Sequence, residues 1–157
     1  MTEFMQKLLD ELALRKWTIA TAESCTGGMV AAAITDIPGA SEYFRGGVVA
    51  YHNQIKQQLL GVPQEILSQY GAVSRECVEA MLDGAARTLC ADCVIATSGI
   101  AGPGGGTPDK PVGLVFVGCR SPHSVRVEKF MFDGNRQQVR QQAVNAGIAM
   151  MKDLINQ

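Results

Sequence analysis

The sequence predicts an α/β fold, a three-layer α/β/α sandwich around a mostly parallel mixed sheet. Three observations lead there. Short β-leaning apolar runs are separated by stretches of helical periodicity, the pattern of strands that run parallel and carry helices on both faces. Two such runs near the end follow one another directly, which adds an antiparallel element. Glycines and small residues gather just after candidate strands, where open α/β sheets bind ligands.

The elements follow in chain order. Phe4, Met5, Leu8, Leu9 and Leu12 recur at helical spacing, so residues 3–15 read as an amphipathic helix. Residues 17–22 are β-leaning and read as a first strand. Residues 27–35 are small and apolar and suit a helix packed tightly on it, ended by Ile37-Pro38-Gly39-Ala40. Ser41 caps a short turn through Phe44, and residues 47–51 form a second strand candidate. Residues 53–60 are helical, and Pro63 suits the first turn of another short helix. Ser74 caps a longer helix through Leu89, with Val78, Met81, Leu82 and Ala85 as its apolar stripe. Residues 93–97 form strand three, and 98–111 an irregular loop. Residues 112–118 and 125–132 form two strands joined at Ser121-Pro122. Asp133-Gly134-Asn135 opens a last helix through Leu154.

Composition narrows the class. The 157 residues suit one domain, and no repeat, low-complexity tract or linker divides 1–157. Hydrophobic residues are 46% and charged residues 18%, which excludes disorder. The net charge of −1 argues against a generic nucleic-acid partner. No apolar run approaches a membrane span, and the start does not read as a signal peptide, so a cytoplasmic protein with no membrane partner is expected. Glycine is in surplus, at 17 residues. The five cysteines are an odd number, against a disulfide framework. Cys90 and Cys93 have CxxC spacing but no second pair, and read as small buried hydrophobes at a helix-to-strand junction.

Three segments could carry chemistry. After strand one comes Thr21-Ala-Glu-Ser-Cys-Thr-Gly-Gly28, a tight turn into a helix. Free N–H groups there could hold an anion or an oxyanion, Ser24 could be a nucleophile, or Ser24 and Thr26 could only cap the helix. After strand three, residues 98–113 hold six glycines stiffened by Pro103, Pro108 and Pro111, as in a shaped binding loop. After strand two, Tyr51 and Lys56 could face the same crevice as Ser24. A lysine acts as a base only when neutral, so burial or a neighbouring cation must depress its pKa; otherwise Lys56 is a solvated surface group. His52 and His123 are the only histidines, and a Ser–His–acid triad is not expected. The acids lack metal-ligand spacing, so no metal site is expected. Arg136 and Arg140 share one face of the last helix and could meet a phosphate or carboxylate.

With these segments side by side, the sequence resembles the CinA C-terminal domain family, and within it the stand-alone nicotinamide mononucleotide (NMN) deamidases. The residues that carry the resemblance are Thr21 to Gly28, Tyr51-x-Asn53-x-x-Lys56, Gly71-Ala-Val-Ser74 and Ser98 to Gly113. It runs from about residue 5 to 150. Larger members carry an additional N-terminal domain, and the resemblance is to the form without it.

The resemblance implies hydrolysis of the carboxamide of NMN to nicotinate mononucleotide and ammonia, a step in pyridine nucleotide salvage, without metal or cofactor. It implies Ser24 as nucleophile, Lys56 as general base, and Tyr51 assisting proton transfer or orienting the lysine. The binding shell it implies draws Glu23, Cys25, Thr26, Gly27 and Gly28 from the first turn, and Asn53 from the second segment. The long loop adds Ser98, Gly99, Ala101, Gly102, Gly105 and Thr107. Arg136 and Arg140 complete it, Arg140 favoured over Arg136 for reaching substrate. His52 departs from the family's small residue at that place and could alter the pocket rim. A homodimer is expected on the same ground. Two other readings stand beside the NMN deamidase: a non-catalytic nucleotide-binding module, and an amidohydrolase of a different amide.

Overall fold

The structure, a computed structural model, describes residues 2–157. Its elements are α1 (Thr2–Arg15), β1 (Ile19–Glu23), α2 (Met29–Thr35), a 3-10 turn (Ala40–Glu42), β2 (Phe44–Val49), α3 (Asn53–Leu60), α4 (Gln64–Gln69), α5 (Arg75–Thr88), β3 (Cys93–Gly99), β4 (Leu114–Arg120), β5 (Val125–Met131) and α6 (Arg136–Ile155). The strands form one sheet in the order β2-β1-β3-β4-β5. β1 runs parallel to both β2 and β3, while β4 is antiparallel to β3 and to β5. Four strands therefore point one way and only β4 opposes them.

The pleat splits the apolar residues between two cores. Ile19, Cys93, Ile95, Val115, Val117 and Cys119 face α1, α2 and α6. Ala20, Ala22, Val94 and Ala96 face α3, α4 and α5. Alternate side chains of a strand point to opposite faces, so strands buried on both sides need apolar residues at nearly every position. The result is the three-layer sandwich. β1 has β2 on one flank and β3 on the other, and the chain reaches them by crossovers on opposite faces. That is a topological switch point, and a crevice opens beyond the carboxyl end of β1.

Several boundaries differ from the sequence expectation, each for a physical reason. β2 starts at Phe44, three residues before the apolar run suggests, and ends at Val49, two before, because Phe44, Gly46 and Gly47 pair with β1 while Arg45 falls at a shift in the register. Gly47 lies against the Thr21 side chain, where a Cβ would sit 2.2 Å from Thr21 Oγ1. α2 begins at Met29 because Gly27 and Gly28 hold φ of 57° and 106°, outside helical geometry. Ser98 and Gly99 extend β3 rather than open the loop, pairing with Phe116 and Val115 of β4. Asn135 caps α6 through a capping box with Gln138. Among the described residues, no helix is long and apolar enough to cross a membrane.

Candidate active site

Ser24 leaves β1 at its carboxyl end. Its N–H donates to the Thr97 carbonyl at 3.0 Å, so it is still anchored to β3 after the strand ends. Its carbonyl accepts from Gly27 N–H at 3.0 Å, which closes a tight turn. The left-handed φ of 57° at Gly27 suits glycine. No backbone or side-chain acceptor among the described residues takes the N–H groups of Cys25 and Thr26, so both amides next to Ser24 remain free to donate.

Lys56 arrives from the next crossover. His52 caps α3, its Nδ1 accepting from Gln54 N–H at 3.0 Å, and Lys56 sits one turn in. Its side chain is 1% exposed, the largest fully buried side chain among the described residues. Nζ donates to Ser24 Oγ at 3.0 Å and to the Tyr51 carbonyl at 3.1 Å. Among the described residues no carboxylate pairs with it. Burial disfavours the ammonium form, and the Lys56 pKa lies below the ordinary lysine value; the nearby Cys77 and Cys25 oppose that shift.

A cleft of about 220 Å³ opens over this pair. It is lined by Ser24, Cys25, Tyr51, Asn53, Lys56, Ala72, Val73, Ser98, Gly99, Ala101 and Arg136. Its lining carries two basic side chains and no acidic one. Arg136, at the start of α6, donates to the Gly102 carbonyl at 2.8 Å and to the Tyr51 hydroxyl at 3.1 Å. It spans the mouth between two rims.

Other sequence-singled residues stand elsewhere. Glu23 does not face the cleft. One carboxylate oxygen accepts from Val30 N–H at 2.8 Å and the Thr26 hydroxyl at 2.6 Å, the other from Ala31 N–H at 3.1 Å. It caps α2 from β1, because Gly28 at the N-cap has no side chain to do so. Thr26 is fully buried beneath the turn. Gly27 and Gly28 shape that turn and do not line the cleft. Gly102 meets the site only through its carbonyl. Gly105 is exposed further along the loop, and Thr107 closes a turn with Lys110, accepting its N–H at 3.0 Å. Arg140 donates to the carbonyls of Cys25 and Thr26 at 3.0 and 3.3 Å. It braces the turn from behind, and the preference for it over Arg136 is reversed: one helical turn separates them, and the earlier residue reaches the cleft.

Of the two expectations for Tyr51, the contacts match orientation of the lysine. Its carbonyl holds the lysine, while its phenol holds Arg136. Neither histidine lines the cleft, and His52 serves α3 rather than the pocket rim. Cys93 is buried in β3, its thiol pushed up to about 12 by burial, but Cys90 is exposed; all five cysteines are free. Ala72 and Val73 line the cleft without any chemical signature in the sequence. The Ser98 hydroxyl, donating to the Ala72 carbonyl at 2.8 Å, brings them to the end of β3. Side chains without chemical function leave no signature, and only the turn at Gly71-Ala-Val-Ser74 hinted at them.

The chain matches the model of the CinA C-terminal domain over residues 1–155. It is 45% identical to a CinA-like protein of Desulfotalea psychrophila, covering 90% of this chain and 34% of that protein. With a CinA-like protein of Thermotoga maritima it shares 46%, covering 89% of this chain and 33% of that one. It thus spans about a third of the length of these curated relatives. Among solved structures, a competence/damage inducible protein from Agrobacterium tumefaciens superposes with TM-score 0.94 at 36% identity, over 99% of this chain and 95% of that one. A CinA superfamily protein from Klebsiella pneumoniae does so with TM-score 0.94 at 33% identity, over 99% and 97%. A family model matched along almost the whole chain, with relatives of this identity, shows that the chain belongs to the CinA C-terminal domain family.

Proposed function

We propose that the chain is a Ser–Lys amidohydrolase that hydrolyses the carboxamide of nicotinamide mononucleotide to nicotinate mononucleotide and ammonia. One observation carries this reading: the buried Lys56 Nζ stands 3.0 Å from Ser24 Oγ with no carboxylate beside it. A salt-bridged lysine would stay protonated; a desolvated one is held ready as a base.

The chemistry then runs in two halves. Neutral Lys56 takes the Ser24 proton as Oγ attacks the carboxamide carbon. The oxyanion is met by the free amide of Cys25, which lines the cleft beside Ser24. Lys56, now an ammonium, returns the proton to the leaving nitrogen, and ammonia departs from an acyl ester on Ser24. Water, deprotonated by Lys56, attacks the ester, and Ser24 leaves with the proton back on Oγ. The Tyr51 carbonyl holds Nζ in place at both stages.

The substrate follows from size and charge. A cleft of about 220 Å³ is below the ~300–1,000 Å³ usual for whole ligands, so it suits the ring and amide. Ribose and phosphate would reach over the rim to Arg136, whose guanidinium suits a phosphate. Ammonia release screened over NMN, nicotinamide, NAD and simple amides tests this. Release from NMN above the others is expected. Faster release from simple amides would leave the dyad and reject the substrate.

A further inference from the structure

Beneath the cleft lies a chain of buried polar groups that takes no part in the chemistry above. The Thr26 hydroxyl donates to Glu23 Oε1 at 2.6 Å and stands 2.8 Å from the Thr97 hydroxyl. Glu23 acts here only as acceptor, since its oxygens also take the N–H groups of Val30 and Ala31. The single Thr26 proton therefore points at Glu23, and Thr97 must donate to Thr26. The groups thus form one directed chain that ends on a carboxylate. Glu23, Thr26 and Thr97 are each 0–1% exposed.

Capping α2 needs only the two amide bonds to Glu23. The Thr26 link is extra, and it crosses to β3. There it meets Thr97, whose carbonyl accepts the Ser24 N–H at 3.0 Å. One residue of β3 thus ties the turn on both sides of Cys25: by its main chain at Ser24, and by its hydroxyl at Thr26. From the opposite direction Arg140 holds the carbonyls of Cys25 and Thr26.

We propose that Glu23, Thr26 and Thr97 are positioning residues, a buried clamp that holds the turn after Ser24 so that Oγ meets Lys56 and the amide of Cys25 is aimed at the reacting carbon's oxygen. The clamp rests on Ser24 being the nucleophile and is independent of which amide is cleaved. Buried networks of this kind rigidify when every member is satisfied, and a misplacement of about 1 Å at a reacting group can cost on the order of a hundredfold in rate.

The test uses the full chain with Thr26→Val, Thr97→Val and Thr26→Ser. Two readouts are taken: phosphonylation of Ser24 by a fluorophosphonate, followed by intact mass, and the kcat and KM for ammonia release from NMN. Expected is labelling slowed about tenfold or more in both valine variants, and kcat reduced in step. KM should stay within about twofold, and Thr26→Ser within about threefold of wild type. The pH midpoint of labelling should not move, because Lys56 keeps its burial. Labelling within twofold of wild type in either valine variant overturns the clamp, as does Thr26→Ser as slow as Thr26→Val, or a midpoint shifted toward an ordinary lysine. If wild type is labelled at Ser24 but leaves NMN intact, only the substrate falls and the labelling series still decides. If wild type is labelled no faster than Ser24→Ala, nucleophile and clamp fall together.

Discussion

The Lys56 amine meets the Ser24 hydroxyl at 3.0 Å from a helix that begins after the neighbouring strand. The two residues are 32 positions apart, and the pairing of β1 with β2 brings their segments together. Everything else in the cleft is arranged around that contact.

The first consequence is a pH profile. A base depressed by burial is neutral above a pKa lower than the ordinary value of about 10.4. The kcat/KM for ammonia release should therefore rise with pH and level off at a lower pH than an ordinary lysine would give. A flat profile across the neutral and mildly alkaline range, or a midpoint at the ordinary lysine value, would count against Lys56 as the base.

The same burial has a cost in stability. The folded pKa of Lys56 is lower than the unfolded one, so between those two values the unfolded chain binds more protons. Stability should rise as pH climbs through that window, and below it the fold carries the full cost of the buried amine. Replacing Lys56 by Met should abolish turnover yet stabilise the protein near pH 7 by about 0.5–2 kcal/mol, read from urea unfolding. A destabilised Lys56→Met variant would refute the cost assigned to the amine.

Tyr51 offers a sharper discrimination. Its carbonyl holds Nζ, and that group survives any substitution, while its phenol reaches only Arg136. Tyr51→Phe should lower kcat by less than about tenfold, well short of the ~10²–10⁴ carried by a true proton-transfer group. Arg136→Gln should instead act through binding, raising KM for NMN by about tenfold or more with little change in kcat. Steady-state kinetics on the two variants separate these outcomes.

Away from the cleft, Gly47 and Thr21 make a packing test. The Thr21 hydroxyl is buried and has no hydrogen-bond partner among the described residues, and it fills the space where a Gly47 Cβ would go. Gly47→Ala should cost about 1–3 kcal/mol from overpacking. That cost should shrink in a Thr21→Ala background, giving a measurable coupling in a double-mutant cycle. Additive effects would mean that the sheet yields elsewhere.

The layer architecture was legible because short β-leaning apolar runs alternate with helical stretches, and in the structure β1, β3 and β4 are buried at almost every position, as a doubly covered sheet requires. β2 was harder to bound, since the apolar run begins only at Gly47, whereas pairing with β1 already takes in Phe44 and Gly46. The site was legible in its parts and not in its contacts. Spacing placed Arg136 and Arg140 on one face, but only the position of α6 against the first turn decides which meets the cleft. Glu23 lay within the motif and read as part of the site. Its role as a cap depends on α2 folding back over β1, a tertiary relation that local pattern does not encode. Orientation of the lysine by Tyr51 was among the expectations, but that it is the backbone carbonyl which meets Nζ is a tertiary detail.

The most direct measurement is ammonia release from NMN by wild type and by Ser24→Ala under identical conditions. Expected is release by wild type and a fall of about 10³-fold or more in the variant, as when the nucleophile of a catalytic unit is removed. Release by Ser24→Ala at the wild-type rate would contradict the dyad.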